Sequence, residues 1–494
     1  MNYISTRATN STGISAAAAI KQGLADDGGL FMPDEIPSLT FDKIDELRKL
    51  DYAQRAAYIL SLYLTDYTYD ELLCDCQKSY SDARFPGGAA PLVNIGDNLN
   101  SLELWHGPTS AFKDMALQIM PRLLSRALVK TGEKRNAFIL VATSGDTGKA
   151  ALEGYRDVDR VGISVFYPVD GVSRVQKRQM ATQEGGNVFV TAVKGNFDDA
   201  QTGVKKIFSN SKAASKLDEG GYFFSSANSI NWGRLAPQIA YYVSAYCDLI
   251  NNGTIKNGDE INVCVPTGNF GNIFAAYLAY KMGLPVNKFI CASNTNNILT
   301  DFLSTGKYDR NREFHTTMSP SMDILISSNL ERLLYLVAGP ERTCAYMKSL
   351  NETGAYTVDD DVRNIISQKF VGLYASEENT SLTIKETFNN SHYLSDTHTA
   401  VAIYCAKEYI SKTDDKTPMV IASTASPYKF ASNVLRSITG TAPDDEFEAL
   451  TELNKLSGVE IPKGLACLRD KEERFKSVIN PDSMLDTVYS QLNL

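Results

Sequence analysis

The chain has 494 residues and carries 49 basic against 58 acidic side chains, a net charge of −9 with histidine neutral. That length accommodates about one to three domains with a sizeable buried core. A charged fraction of 22% and a hydrophobic fraction of 43% exclude disordered, collagenous and disulfide-scaffold chains, and the interspersed, mildly acidic charge lacks the basic footprint of a nucleic-acid binder.

The start, MNYISTR, runs into polar sequence with no apolar signal core, and no run of about 18 apolar residues follows, so neither secretion nor a membrane is expected. A cytoplasmic location is the expectation. Residues 1–100 are mainly helical in pattern: in FDKIDELRKLDYAQRAAYILSLYL, Ile44, Leu47, Leu50 and Ala53 recur three apart. The stretch ARFPGGAAPLVNIGDN (83–98), rich in Gly and Pro, is the first expected boundary.

Beyond it, apolar runs alternate with helical patterns. SLELWHGPTSAFKDMALQIMPRLLSRALVK (101–130) is expected to form strand, turn and helix. Strands are predicted at AFILVAT (137–143), VGISVFYP (161–168), NVFVTAV (187–193), YFFSSA (222–227), INVCVPTG (261–268), KFICASN (288–294) and PMVIAST (418–424). Most of these runs are followed by a helical segment. Apolar strands without polar alternation, connected by helices, indicate parallel sheets covered on both faces. Their number predicts two open α/β domains behind the N-terminal helical region. The expected spans are 1–100, then a smaller α/β domain at 101–230, then a larger one at 231–494.

The eight cysteines lie mostly in apolar runs, only Cys74 and Cys76 are close together, and the four histidines are scattered. No protein-ligated metal is therefore expected.

In open α/β sheets, ligands gather where strands end and helices begin. ATSGDTGKAAL (142–152) places Ser144, Gly145, Asp146, Thr147 and Gly148 at such a turn, with backbone amides and hydroxyls suited to an anion. Its Gly148–Lys149 pair does not make a Walker A loop, because Thr143 stands at the required glycine and Ala150 at the required Ser/Thr. PTGNFGN (266–272) is a second Gly-rich turn and lacks the dinucleotide fingerprint. In SSANSINWGR (225–234), Asn228, Ser229, Asn231 and Arg234 could form a site for an oxyanion, or simply a capped helix. Lys113 opens a helix, where the macrodipole disfavours its charge; with desolvation this would make it a nucleophile, and the alternatives are a pair with Asp114 or a side chain that snorkels to solvent. One amine among anion-binding turns suits a phosphorylated carbonyl compound and a second anionic group.

At these residues the sequence resembles the threonine synthase family, fold-type II enzymes dependent on pyridoxal phosphate with a tryptophan synthase β-like fold. The motifs are YISTR (3–7), ADDGGLFMP (25–33), HGPTSAFKD (106–114), TSGDTG (143–148), YPVDGVSRVQKRQM (167–180), GNFDDAQ (195–201) and ANSINWGR (227–234). They continue with PTGNFGN (266–272), MDILISSNLERLLY (322–335), DTHTAVA (396–402) and STASPYKF (423–430). The resemblance implies that Lys113 is the Schiff-base lysine and that Gly268, Asn269, Phe270, Gly271 and Asn272 hold the cofactor phosphate. It also implies that Thr424 meets the pyridine nitrogen. Ser144, Gly145, Asp146 and Thr147 would face substrate and cofactor, with Asn228, Ser229 and Arg234 gripping a substrate phosphate.

The implied reaction converts O-phospho-L-homoserine and water to L-threonine and phosphate, in a monomer or homodimer without nucleic-acid or membrane partners. The alternatives are a related phospho-lyase that releases 2-oxobutyrate and a dehydratase of unphosphorylated Ser or Thr. Ser110, Met115, Ser426 and Tyr428 depart from the family pattern, the last two next to the pocket.

Overall fold

The computed structural model describes the whole chain except Asn10, Ser11, Ser144 and Gly171. Two twisted sheets carry the architecture. The larger has the order Phe370–Tyr374, Val286–Ser293, Ile261–Pro266, Met419–Ser423, Leu99–Glu103, Leu92–Gly96. All neighbours in it are parallel except the last pair. The smaller sheet, fully parallel, has the order Val478–Ile479, Val188–Val193, Val161–Pro168, Asn136–Ala142, Tyr222–Ser225. The central strands Ile261–Pro266 and Met419–Ser423 are buried at every position, as their unbroken apolar runs require when helices cover both faces.

The seven apolar runs form strands within about two residues of the expected bounds. The sheets nevertheless draw on segments that the spans 1–100, 101–230 and 231–494 keep apart. Leu92–Gly96, inside the stretch expected to be a boundary, turns back through Asp97 and Asn98, both at positive φ, and pairs antiparallel with Leu99–Glu103 at the edge of the larger sheet. Leu99–Glu103 in turn pairs with Met419–Ser423. Val478–Ile479, from the far C-terminal end, completes the smaller sheet beside Val188–Val193. A two-residue strand and a Gly-interrupted edge strand carry too little periodic pattern to be legible in sequence.

The N-terminal region packs four helices, Ala16–Gln22, Phe41–Leu47, Tyr52–Tyr63 and Tyr69–Ser79, around the long helix Trp232–Asn251 and the helix Met120–Lys130. Each of the four starts at a side-chain N-cap, Ser15, Thr40, Asp51 and Thr68. The segment before them is anchored by charge. Glu331, 5% exposed, accepts from Arg7 Nε at 2.8 Å, Arg7 Nη2 at 2.8 Å and the Thr6 hydroxyl at 2.6 Å. The next residue, Arg332, is fully buried and donates to the carbonyls of Phe31 and Ile230 and to the Asn329 side chain.

Arg7→Ala would leave the Glu331 carboxylate buried with only the Thr6 hydroxyl. The expected cost, discounted because Arg7 is partly exposed, is about 2–3 kcal/mol, read as a lower urea midpoint at an unchanged slope.

Candidate functional site

Five strand ends converge on one site. Glu103 leads to the loop carrying Lys113, Pro266 to Gly268–Asn272, and Ser423 to Thr424. From the smaller sheet, Ala142 leads to Gly145–Thr147 and Ser225 to Asn228–Arg234. This is the carboxyl edge of both sheets, where loops feed helix N-termini and side chains are free to face a ligand.

Lys113 stands immediately before the short helix Asp114–Leu117. Its loop is pinned to the end of strand Met419–Ser423: Phe112 N–H donates to the Thr424 carbonyl at 2.8 Å, and Ala111 bridges Ala425. The expected alternative pairing with Asp114 does not occur. Asp114 is fully buried and turns to Thr109, accepting from its amide and its hydroxyl at 2.8 Å each, and burial lifts its carboxyl to about 6. Lys113 Nζ instead lies 3.6 Å from Asp146 Oδ2 and 3.3 Å from the Ser321 hydroxyl. Burial lowers the Lys113 amine below the usual lysine range; Asp146 opposes that, while the charges of Lys429 and Arg234 add to it. An amine held this way is a better nucleophile and base near neutral pH.

Asp146 is the anion of the site. Its Oδ1 pairs with Lys429 Nζ at 2.6 Å and accepts from Gln176 Nε2 at 2.9 Å, and its Oδ2 accepts from the Ser321 hydroxyl at 3.3 Å. Burial alone would raise this carboxyl, but the charges of Lys429 and Lys113 hold it far below the ordinary range. The preceding Gly145 has φ +147°, and a Cβ there would fall 2.5 Å from Gln176, so only glycine lets Gln176 reach Asp146. Ser144 lies outside the described residues. Thr147 is half-buried beside this turn.

Sequence reasoning missed Lys429. Its side chain is fully buried, and its ammonium also donates to the Thr109 carbonyl at 3.2 Å. The available signal was its place in STASPYKF, five residues after Thr424. The two departures nearest the pocket face elsewhere. Tyr428 is buried and donates to the Val459 carbonyl, while Ser426 caps the turn Pro427–Phe430 and takes a backbone bond from its amide to the Ser110 carbonyl at 3.0 Å.

Gly268–Asn272 close the other side. Phe270 is left-handed at φ +62°, a conformation an aromatic side chain rarely adopts outside a functional loop, and the helix Gly271–Met282 starts directly after it. The Asn272 side-chain oxygen lies 2.6 Å from the hydroxyls of both Tyr241 and Tyr242, which leaves its buried Nδ2 group without a partner among the described residues. The segment 321–329 packs across this loop: a Cβ on Gly268 would meet the Ser321 carbonyl at 2.9 Å, Ser327 donates to the Gly268 carbonyl at 2.7 Å, and Asn329 donates twice to the Asn269 carbonyl at 3.0 Å. Thr424 is buried at the end of its strand, and its hydroxyl makes no hydrogen bond among the described residues.

Arg234 is 4% exposed, donates to the Ala227 carbonyl, and has no carboxylate partner among the described residues; its Nε is unpartnered. Burial lowers it to about 10. Asn228 is exposed and Ser229 half-buried in the same loop. Asn231 does not join them. It caps the helix Trp232–Asn251 through Gly233 N–H and donates to the Ile20 carbonyl at 2.9 Å, so its polar atoms are consumed by the fold.

Because the Asp146 carboxyl is held low, its stabilising contribution is complete above its ordinary value of 3.8 and is lost as pH falls below that value. Asp146→Asn should flatten that part of the acid limb in a stability-against-pH series. At neutral pH it should cost about 3 kcal/mol, since Lys429 is left buried without a counter-charge.

Comparison with known proteins places these residues in a family. Family models match over most of the chain: Threonine synthase N terminus at residues 2–80, Pyridoxal-phosphate dependent enzyme at 96–424, and Threonine synthase, C-terminal at 399–488. Threonine synthase-like 1 of Homo sapiens is 41% identical over 433 residues, 85% of this chain; the chain spans 57% of that protein's length. Threonine synthase of Saccharomyces cerevisiae is 39% identical over 470 residues, 89% of each chain. The crystal structure of PLP-bound threonine synthase from Brucella melitensis superposes with a TM-score of 0.88 at 35% identity, covering 100% of this chain and 98% of that one. With its lysine, Gly-rich cradle and buried arginine gathered at one edge of two sheets, the chain belongs to the threonine synthase family of pyridoxal-phosphate dependent enzymes.

Proposed function

We propose that the protein converts O-phospho-L-homoserine and water to L-threonine and phosphate. The observation that carries this reading is Arg234: a buried guanidinium with no carboxylate partner among the described residues, close enough to Lys113 for its charge to be felt there, with Asp146 the carboxylate held between Lys113 and Lys429. An uncompensated buried cation is costly unless an anion completes it. A substrate carrying both a carboxylate and a phosphate does so; unphosphorylated serine or threonine has one anionic group fewer.

The residues present fit pyridoxal phosphate. The orphaned Asn272 Nδ2 and the amides opening the helix Gly271–Met282 supply donors for its phosphate, with Gly268, Asn269 and Phe270 shaping the approach. The Thr424 hydroxyl is available to the pyridine nitrogen, and Lys113 is the amine that bonds the cofactor. When bound, the cofactor supplies the electron sink for a carbanion.

The remaining roles belong to the protein. Lys113, as a free amine, would take the Cα proton. Arg234, with Asn228 and Ser229, would hold the phosphate as it leaves Cγ. Asp146, Gly145 and Thr147 border the substrate side. No helix among the described residues is long and apolar enough to cross a membrane, and all eight cysteines are unpaired, which supports a place in the reducing cytosol.

The test incubates purified, cofactor-loaded protein with O-phospho-L-homoserine and quantifies threonine, 2-oxobutyrate and phosphate. Threonine and phosphate in equal amounts are expected; phosphate with 2-oxobutyrate and no threonine overturns the reading. Lys113→Ala should abolish turnover and the yellow colour of the covalently held cofactor. Arg234→Met should raise KM for the substrate about 10²-fold, without lowering the melting temperature of the cofactor-free protein, since it removes an unpaired buried charge.

A further inference from the structure

One contact of the reacting lysine comes from outside every motif assigned above. A single 3-10 turn, Pro320–Met322, carries Ser321 to the amine. Its hydroxyl accepts from Lys113 Nζ and donates to Asp146 Oδ2, each at 3.3 Å, so one oxygen links the amine to the anion of the site.

The turn is held from behind. Ser321 N–H donates to His398 Nε2 at 3.1 Å. For Nε2 to accept, the ring proton must sit on Nδ1, where it donates to Asp396 Oδ1 at 3.0 Å. Asp396 is fully buried and caps the helix Thr397–Thr413, accepting also from the amides of His398 and Thr399 and the Thr399 hydroxyl. Those donors fix the carboxylate, and the carboxylate fixes the ring, which packs against Phe430 with centroids 4.8 Å apart. On the opposite side the Ser321 carbonyl presses on Gly268. The turn therefore has little freedom to carry its hydroxyl away from Lys113.

We propose that Ser321 is a further catalytic residue, whose hydroxyl orients the Lys113 amine when that amine is free, and that His398 and Asp396 are positioning residues that hold Ser321 in place. The inference rests on the reading of Lys113 given above. As the Cα–H bond breaks, its proton forms the new N–H bond of a Lys113 ammonium, and the electron pair stays with the substrate carbon. The ammonium then donates to the Ser321 hydroxyl, which donates to Asp146. No further proton moves.

Two measurements test this. In the cofactor-free protein, acetic anhydride labelling of Lys113 at fixed pH is followed by peptide mass spectrometry. The hydroxyl favours the ammonium, so Ser321→Ala should label about 3- to 10-fold faster, and Ser321→Thr should label as wild type. In loaded protein, exchange of the substrate's Cα proton with solvent deuterium should slow about 10- to 100-fold in Ser321→Ala and His398→Ala, with KM within about twofold. His398→Gln keeps an acceptor near the Nε2 position and should recover most of the rate, which separates positioning from loss of fold. The double variant should be no slower than the slower single variant. Wild-type labelling and exchange in Ser321→Ala, or additive losses in the double variant, overturn the proposal. Cα exchange precedes the fate of the carbon skeleton, so release of 2-oxobutyrate would sink the threonine reading and leave this one standing.

Discussion

The Asp146 carboxylate is the constraint on which the site depends. It comes from the helix that follows a central strand of the smaller sheet, while both ammoniums it neutralises, Lys113 and Lys429, follow neighbouring strands of the larger sheet. One buried anion thus ties the two sheets together at the edge where the ligand belongs. A carboxylate with Lys429 at 2.6 Å and Gln176 at 2.9 Å has lost most of its freedom to turn, so the Lys113 amine meets a fixed field. Burial and the neighbouring cations lower that amine, and Asp146 keeps the lowering in check.

A second buried charge does the same work for the backbone. Arg332 spends its donors on the carbonyls of Phe31 and Ile230 and on Asn329, whose own amides hold the Asn269 carbonyl. Three distant stretches are thereby set against one another: the N-terminal segment, the loop of Arg234 and the loop Gly268–Asn272. Burial lowers the guanidinium to about 9, and the ring of Trp232 lies 5.9 Å from it. The matching of YISTR at one end with the Glu–Arg pair of MDILISSNLERLLY in the middle follows from these contacts, because Thr6 and Arg7 close on Glu331. The N-terminal helical region is fastened to the site's rear wall.

What was legible in the sequence divides along physical lines. Buried parallel strands are continuous apolar runs, so most of the strands could be traced, and Gly-rich turns after such runs marked Gly145–Thr147 and Gly268–Asn272. Sheet membership was not legible. Leu99–Glu103 looks local to the helix that follows it, yet its partner is Met419–Ser423, more than three hundred residues away, and no periodicity encodes that pairing. Lys429 was hidden because a lysine is ordinarily exposed, and only the fold reveals that its side chain is fully buried against Asp146. Ser321 had no signal at all, being one polar residue in a polar loop. Asn231 was the opposite case, a residue of suitable chemistry whose atoms are consumed in capping a helix.

The net charge of −9 says little about a site of this kind, since the binding of a doubly anionic molecule depends on charges within a few ångströms of it. Locally the sign reverses: Lys113, Lys429 and Arg234 are gathered there, and Asp146 is the carboxylate among them. Such an arrangement works against the stability of the empty protein. Three local departures from a well-satisfied interior accompany it: the left-handed Phe270, the unpartnered Asn272 amide and the unpartnered Arg234 Nε. These lie at the starts of the helices Gly271–Met282 and Trp232–Asn251, while Asp396 and Glu331 each accept several hydrogen bonds. Unfilled donors near the lysine are what a binding site requires when its last hydrogen bonds are made by the molecule it binds.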